Sequence, residues 1–137
     1  MIFTKRNFAA FTVLIFVLTL SVCGQSGRPT ELAFGNEISG NLGSGEGHFF
    51  IVKPTEDGII IVETSGDLGT RLEAFDESNK KLWENTGGGE GSNAKLVIFV
   101  EAGKTYNIKL TEVIANLEVW TTTLKGGPYS IVANFVR

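Results

Sequence analysis

Acidic side chains are the most numerous groups in this sequence that could take part in chemistry, and several fall in stretches that predict turns. The chain contains 15 Asp and Glu residues. Calcium takes about six to eight oxygen ligands, and the turn acids that would supply them are Asp67, Asp76, Glu77 and Glu90. No EF-hand spacing joins these four residues, and Asp favours turns because its carboxylate hydrogen-bonds to nearby backbone amides. We therefore discount calcium, and we expect no cofactor.

His48 is the only histidine of the chain, and it directly precedes the run FFIVK. A catalytic triad or a zinc site needs partners of defined type. No GxSxG motif is present, the chain has one cysteine, and no spacing selects two carboxylates for glycoside hydrolysis. We therefore interpret His48 as a polar residue at the start of a strand, and we predict that the protein is not an enzyme.

The stretch ENTGGGEG, residues 84–91, contains enough glycine to hold a phosphate. The overlapping GEGSNA has the form GxGxxA, which binds dinucleotides only where it follows a strand and begins a helix. Here the next residues are KLVIFV, which predict a strand. The GKT of EAGKTY is not a P-loop, because Ile98 stands where the first glycine of that motif is required. We therefore predict that the glycines form a loop between two strands, at positions with positive φ.

From residue 32 onward, short apolar runs alternate with stretches rich in Gly, Pro, Asn and Asp. The predicted strands are FFIVK, IIIVET, TRLEAFD, LWE, AKLVIFV, KTYNIKL, LEVWTTT and PYSIVANFV. In KTYNIKL the alternate residues Tyr106, Ile108 and Leu110 are apolar, as in a strand with one buried face. No stretch after residue 31 keeps the helical apolar period for three turns. The pattern predicts an all-β domain of about eight or nine short strands, in a sandwich or a barrel.

Three aromatic residues are candidates for contact with a ligand: Phe75, Trp83 and Trp120. An exposed aromatic ring provides a large contact area for a polymer or a protein. The alternative is structural, since rings of this size also close a core or cover the ends of sheets. The sequence leaves both interpretations open.

The N-terminal residues have the features of an export signal. Lys5 and Arg6 precede the uncharged apolar run FAAFTVLIFVLTL, residues 8–20. This run is shorter than the roughly 20 residues of a membrane-spanning helix, and it matches the apolar region of a signal peptide. We predict a signal peptide over residues 1–22, a linker over residues 23–31, which is small, polar and proline-bearing, and one domain over residues 32–137.

Cys23 is the only cysteine, so the chain has no internal disulfide. The preceding residues LSVC resemble a bacterial lipobox, in which the cysteine is lipidated and becomes the new N-terminus. This resemblance implies a lipid anchor at Cys23 and a place in the cell envelope. Val22 departs from the lipobox, which has a small residue at that position, so ordinary cleavage after Gly24 and release to the periplasm or the medium remains the alternative.

The charge of the exported chain argues against nucleic acid as a partner. Without Lys5 and Arg6 the chain keeps 10 of its 12 basic residues and all 15 acidic ones, so its net charge falls from −3 to −5. Proteins that bind nucleic acid or anionic lipid surfaces carry clustered basic residues, and no such cluster is present. We expect a polymer or protein partner in the envelope or outside the cell, with the membrane contacted only through the lipid anchor.

The run LEAFDESNKKLWENTGGGEGSNAKLVIFVEAGKTYNIKL resembles the bacterial pre-peptidase C-terminal domain. EISGNLGSGEGHFFIVKPTEDGIIIVET is similar to the opening of that family and GGPYSIVANF to its closing strand, so the resemblance covers residues 32–136. It implies a jelly-roll-like antiparallel β-sandwich that serves as an accessory module of exported enzymes and is not itself a catalyst. Some family members bind calcium. Arg71, Asn85 and Thr86 stand where the family often has acids, so calcium is not carried over.

These observations lead to three hypotheses. The first is a non-catalytic envelope module that binds or adheres to a polymer or a protein, and a flat or shallow face with exposed aromatic side chains would favour it. The second is a small secreted enzyme or inhibitor with a carboxylate site in its loops, which in an enzyme would require a deep cleft with perturbed pKa values. The third is a structural subunit of an envelope complex, marked by an unpaired apolar edge strand.

Overall fold

The computed structural model describes residues 28–86, 89, 93–113 and 124–137. Cys23, Glu90 and Trp120 lie outside the described residues, as do the predicted signal peptide and the predicted strand LEVWTTT. The described residues form nine strands and no helix, so none of their elements is a helix long and apolar enough to cross a membrane.

The nine strands form two sheets that pack face to face. They are β1 (Thr30–Glu31), β2 (Ile38–Leu42), β3 (Gly47–Val52), β4 (Gly58–Ser65), β5 (Thr70–Phe75), β6 (Lys81–Asn85), β7 (Lys95–Val100), β8 (Tyr106–Glu112) and β9 (Gly127–Val136). The five-stranded sheet has the order β1-β3-β8-β5-β6, and the four-stranded sheet has the order β2-β9-β4-β7. Every pairing is antiparallel except that of β1 with β3.

The strand pairs are nested in the chain. Strand β5 pairs with β6, β4 with β7, β3 with β8 and β2 with β9, so that one long hairpin is rolled into two sheets. This arrangement is the jelly roll, and it confirms the predicted all-β, jelly-roll-like sandwich. The short parallel strand β1 lies within the segment expected to be a linker, where Thr30 and Glu31 pair with Phe50 and Ile51.

The alternation of side chains along each strand builds one core between the sheets. In β8, Tyr106, Ile108 and Leu110 are buried, as their spacing predicts. In β4, Ile60 and Val62 point inward, while their neighbours are only partly buried. The largest part of the core comes from Leu42, Phe50, Val52, Ile60, Val62, Leu72, Leu96, Ile98, Ile108, Leu110, Ile131 and Ala133.

The glycine-rich segment after β6 joins the two sheets. It begins at the edge strand of the five-stranded sheet and leads to β7, at the edge of the four-stranded sheet. It therefore connects two strands, as predicted, but these strands do not pair with each other as in a hairpin. The segment is followed by a strand and not by a helix, so it lacks the helix N-terminus that a dinucleotide motif requires.

Candidate interaction face

The outer surface of the four-stranded sheet carries apolar side chains where a solvated sheet normally carries polar ones. Strand β7 is apolar from Leu96 to Val100 on both of its faces, and the centre of β4 is apolar on both faces as well. Only one face of each strand can point into the core, so the other apolar set points to solvent. We call this set the apolar face: Ile59, Ile61, Val97, Phe99 and Val136.

The apolar face is continuous because its members lie opposite one another in the sheet. Ile59 has Phe99 opposite it on one side and Val136 on the other, and Ile61 lies opposite Val97. Phe99 is 67% exposed, Val97 44% and Val136 41%. Directly opposed side chains in a sheet are within contact distance of one another, so these residues form one surface and not scattered single side chains.

The apolar face ends at a strand edge that is open among the described residues. Within them β7 pairs with β4 alone. The backbone amide of Thr64 donates to the carbonyl of Ala94, at 3.0 Å. Since antiparallel hydrogen bonding alternates along a strand, Lys95, Val97 and Phe99 direct their backbone groups away from β4. The Asn85 amide donates to the Lys95 carbonyl, at 2.8 Å, so the outward groups of Val97 and Phe99 remain at the edge.

A hollow lined mostly by polar residues lies farther along the same sheet, beyond Glu63 and Val132. Its volume is about 460 Å³, and its lining includes Ser39, Asn41, Ser65, Asp67, Pro128 and Ser130. The hydroxyls of Ser39 and Ser130 are hydrogen-bonded, at 3.0 Å. We call this depression the serine hollow. Its side chains offer hydrogen-bond donors and acceptors at the surface of the sheet.

Beneath the serine hollow, His48 connects the two sheets. Its Nδ1 and the hydroxyl of Tyr129 are hydrogen-bonded, at 2.6 Å, and its Nε2 is 3.5 Å from a carboxylate oxygen of Glu46. Tyr129 is only 5% exposed, and burial raises its pKa to about 12. The Tyr129 hydroxyl therefore stays protonated at neutral pH and is shielded from solvent, so the chain of Glu46, His48 and Tyr129 supports the packing of the sheets and has no exposed nucleophile.

Of the four acids named as candidate calcium ligands, Asp67, Asp76 and Glu77 lie in the described residues, and the structure does not bring these three together. Asp76 accepts hydrogen bonds from the Ser78 and Lys80 amides and from the Ser78 hydroxyl, and the bond from Lys80 is the main cause of its lowered pKa. Glu77 accepts from the Thr105 amide at 2.8 Å. Asp67 lies at the other end of β5, roughly 20 Å away for six strand residues. Within the described ranges, no three His, Cys, Asp or Glu side chains form a group that could hold a metal ion.

Two of the three predicted contact aromatics, Phe75 and Trp83, lie on the other sheet. Phe75 is partly buried on the outer surface of the five-stranded sheet, opposite Asn107. Trp83 lies on the edge strand β6 and is 50% exposed. In the regular register of β5 and β6, Trp83 lies opposite the core residue Ala74, at the rim of the core. The bulge comes after this pair and places Lys81 opposite Phe75. Neither residue is part of the apolar face.

The outer surface of the five-stranded sheet carries ion pairs. Glu73 lies opposite Glu84, and Lys81 bridges both carboxylates at 3.0 Å. Arg71 also pairs with both. The hydrogen bond from Arg71 is the main cause of the lowered pKa of Glu84. We call this surface, with the neighbouring Lys109 and Phe49, the charged face.

Sequence reasoning missed the apolar face, although the sequence contains a signal for it. The run KLVIFV has no polar residue from Leu96 to Val100, whereas a strand with one solvated face alternates apolar and polar residues. The run therefore indicates a strand that is covered on both faces. Among the described residues nothing covers its outer face, and this contrast marks Val97 and Phe99 as candidate contact residues.

Comparison with known proteins shows similarity of fold. No protein-family model and no curated protein sequence matches the chain. The pre-peptidase C-terminal domain of collagenase from Bacillus anthracis superposes with a TM-score of 0.60 at 11% identity, over 81% of this chain and 99% of that one. PliG of Aeromonas hydrophila, a periplasmic lysozyme inhibitor of g-type lysozyme, superposes with a TM-score of 0.58 at 12% identity, over 80% and 96%. The chain thus has the fold of a pre-peptidase C-terminal domain, which confirms the resemblance seen in its sequence.

Proposed function

We propose that this chain is an exported, non-catalytic module that binds a protein partner through its apolar face. The observation that carries the proposal is the continuous exposed surface around Phe99 and Val97. Soluble monomers rarely expose large contiguous apolar patches, and those that do use them for interaction. A polar rim beside an apolar centre is also typical of protein interfaces, and here the serine hollow provides such a rim.

The shape of the surface supports binding over catalysis. The serine hollow is open, and its one group with a resolved pKa shift is Tyr129, which is buried. An enzyme of the kind considered from the sequence would place perturbed titratable groups within reach of a substrate. The proposal therefore assigns no catalytic residue and no cofactor, and it requires no calcium.

A protein partner fits the apolar face better than a polymer does. Four of its five residues are aliphatic and only Phe99 is aromatic. Carbohydrate polymers are usually held by stacking on several aromatic rings, because a ring face matches a sugar face. Aliphatic side chains with one aromatic anchor are instead typical of the apolar centre of a protein interface.

Export and lipid anchoring belong to the same proposal. The signal-like N-terminus supports export, and so does the likeness to a periplasmic inhibitor. Cys23 would carry the anchor and keep the domain at the envelope. The test is Cys23→Ala in a bacterial host: the variant should be exported but should leave the membrane fraction for the soluble fraction. If it stays with the membrane after signal cleavage, the anchor assignment fails.

The partner proposal is tested by cross-linking in the source cells, with a matched control. Phe99→Asp places a charge in the apolar face. Phe49→Asp is the control, because Phe49 is 41% exposed but lies on the charged face. A specific partner should be captured by the wild type and by Phe49→Asp, and lost with Phe99→Asp. It should also bind the purified module directly. Capture of the same proteins by Phe99→Asp, with its fold intact by thermal unfolding, would reject the apolar face as the binding surface.

A second candidate function is inhibition of a cell-wall hydrolase, and the likeness to PliG is the observation that favours it. The fold likeness identifies neither the enzyme nor the contact residues, so the assay is broad. The exported protein is titrated into g-type and c-type lysozymes that are digesting a peptidoglycan suspension. Saturable inhibition by the wild type would establish this function. Unchanged lysis by both enzymes at excess protein would exclude lysozyme inhibition.

A further inference from the structure

We propose that the open edge of β7 pairs with β7 of a second copy of this chain, antiparallel, with the two-fold axis at Ile98. The two four-stranded sheets would then form one continuous sheet across the dimer. This inference goes beyond the proposed function and does not depend on it, because it concerns the strand edge of the module alone.

Hydrogen-bonding geometry restricts the pairing to a few registers. Val97 and Phe99 direct their backbone groups to the edge. In an antiparallel pair, residues that exchange hydrogen bonds lie directly opposite each other. With the axis at Ile98, Val97 of one copy faces Phe99 of the other, and each such pair exchanges both bonds. A shift by one residue would set an outward-bonding residue against an inward-bonding one.

The side chains select this register among those that the backbone permits. With the axis at Ile98, Lys95 of each copy faces Glu101 of the other. Lys95 is 40% exposed beside Glu63, at 3.1 Å, and Glu101 is 63% exposed beside Lys104, at 2.5 Å. Both charges are therefore accessible at the strand ends, and the contact between copies would extend the ion pair that each already makes. An axis at Val97 would instead place Lys95 against Phe99, and an axis at Phe99 would place it against Gly103.

The apolar side chains also match across the axis. Val97 and Phe99 lie on the outer face, and each would meet the other as a cross-strand pair of aromatic and β-branched residues, a combination that stabilises antiparallel sheets. The apolar faces of both copies would become one surface on the same side of the extended sheet. A two-fold contact of this kind is self-complementary, which is the usual design of homodimers.

Other strand edges among the described residues are protected. Proteins protect edge strands with charges, short length or polar residues. Strand β1 has two residues, β6 carries Lys81 and Glu84, and β2 is ISGNL. Strand β7 has no charge between Lys95 and Glu101, and it carries a β-branched or aromatic residue at each outward-bonding position between them. It is therefore the edge best suited to accept another strand.

The test is sedimentation velocity of the purified exported protein over a micromolar to millimolar range, combined with amide hydrogen exchange. The sedimentation coefficient should rise with concentration, and exchange at the Val97 and Phe99 amides should slow in parallel. A monomer throughout, or a dimer whose Val97 and Phe99 amides stay unprotected, would overturn the proposal. If the Val97 and Phe99 amides become protected only when a different protein is added, the strand that pairs with β7 is not from a second copy. The dimer proposal would then be rejected, and the proposed function would be unaffected.

Charge exchange tests the register. Glu101→Lys sets two lysines against each other and should weaken dimerisation by about tenfold. Lys95→Glu combined with Glu101→Lys restores opposite charges and should recover most of the loss. Val97→Lys, a typical edge-protecting substitution, should abolish the dimer, whereas Phe49→Lys on the charged face should not. Thermal unfolding verifies that each variant is folded. Failure of the double variant to recover affinity, with Val97→Lys still dimeric, would reject the edge pairing.

Discussion

The charged face and the apolar face lie on the two outer surfaces of one sandwich, and they expose different kinds of side chain to solvent. On the charged face, Glu73 and Glu84 lie opposite each other and are neutralised by Arg71 and Lys81. On the apolar face, Ile59 lies between Phe99 and Val136, and no charge intervenes. Both faces are built from antiparallel strands with the same alternation, so the fold does not require the difference.

The difference between the two faces shows which surface of the molecule lowers its solubility. The charged face satisfies its groups internally, so its charges need no partner. The apolar face leaves Val97 and Phe99 in water, which is unfavourable unless another surface covers them. This contrast is the reason for placing the interaction on the four-stranded sheet, and each of the following variants tests one side of it.

The largest effect is expected from substitutions on the two sides of β7. Ile98 is fully buried and Phe99 is 67% exposed. Ile98→Ala removes core contacts and leaves a cavity, so it should lower the free energy of unfolding by about 2–5 kcal/mol. Phe99→Ala should change it by less than about 0.5 kcal/mol. Urea unfolding measures both. A loss with Phe99→Ala as large as that with Ile98→Ala would show that the apolar face serves the fold and not a partner.

An intermediate effect is expected at the serine hollow. The ring of Tyr129 passes over Gly40, and a Cβ at that position would lie 2.7 Å from the Tyr129 hydroxyl oxygen. Gly40→Ala must therefore displace the ring from its hydrogen bond with His48, at a cost of about 1–3 kcal/mol. Gly45→Ala is the steric control, because nothing lies within 4 Å of its Cβ, although its positive φ adds backbone strain. Because Gly40 has no positive φ, a loss at this position reports the Tyr129 contact, and unchanged stability with Gly40→Ala would show that the ring moves aside without cost.

A smaller effect is expected within the charged face. Glu73 is 8% exposed, and it pairs with Arg71 and Lys81. Glu73→Ala leaves these cations with Glu84 alone and should reduce stability by about 1 kcal/mol, less at high salt. Glu31→Ala removes an exposed pair with Lys53, at 3.7 Å, and should have almost no effect. Unfolding in low and high salt measures the difference, and a loss that does not depend on salt would argue against the ion-pair interpretation.

The smallest effect is expected from pH. Arg71 and Lys81 lower the pKa of Glu84 in the folded chain below its ordinary value of 4.5. This stabilisation is present above the unfolded pKa and is lost as the pH falls through the folded pKa. The stability difference between the wild type and Glu84→Gln should therefore be constant near neutral pH and shrink below about pH 4.5. Urea titrations at a series of pH values measure it, and a difference that grows on acidification would contradict the assigned pairing.

Several features of the fold could be predicted because they depend on local sequence. Alternation is a property of consecutive residues, so Tyr106, Ile108 and Leu110 indicated one buried face of β8. The run KLVIFV after the glycine-rich stretch predicted a strand, and this excluded a dinucleotide site, because such a site needs a helix at that position. The sequence motifs at both ends and in the middle of the domain also pointed to the pre-peptidase C-terminal fold, and the superpositions confirm it.

The candidate site could not be predicted in this way, because it depends on which strands become neighbours. All residues from Leu96 to Val100 are apolar, so the pattern of apolar and polar residues does not indicate whether Ile98 or Phe99 enters the core. Phe75 was named as a contact residue from its type alone, yet the register places it on the charged face, partly buried. Its place is set by pairing with β6 and β8, and no local pattern contains that pairing.

The sequence by itself therefore determined the class of fold, seven of the nine described strands and the absence of the phosphate-binding motifs, because each of these depends on residues close together in the chain. Only the tertiary structure decided which apolar residues are left in water. It placed β7 at the edge of its sheet and turned Phe99 outward beside Val136, and it set Glu73 against Glu84 on the opposite surface. The physical reason is that exposure depends on long-range strand order, which places residues far apart in the chain side by side.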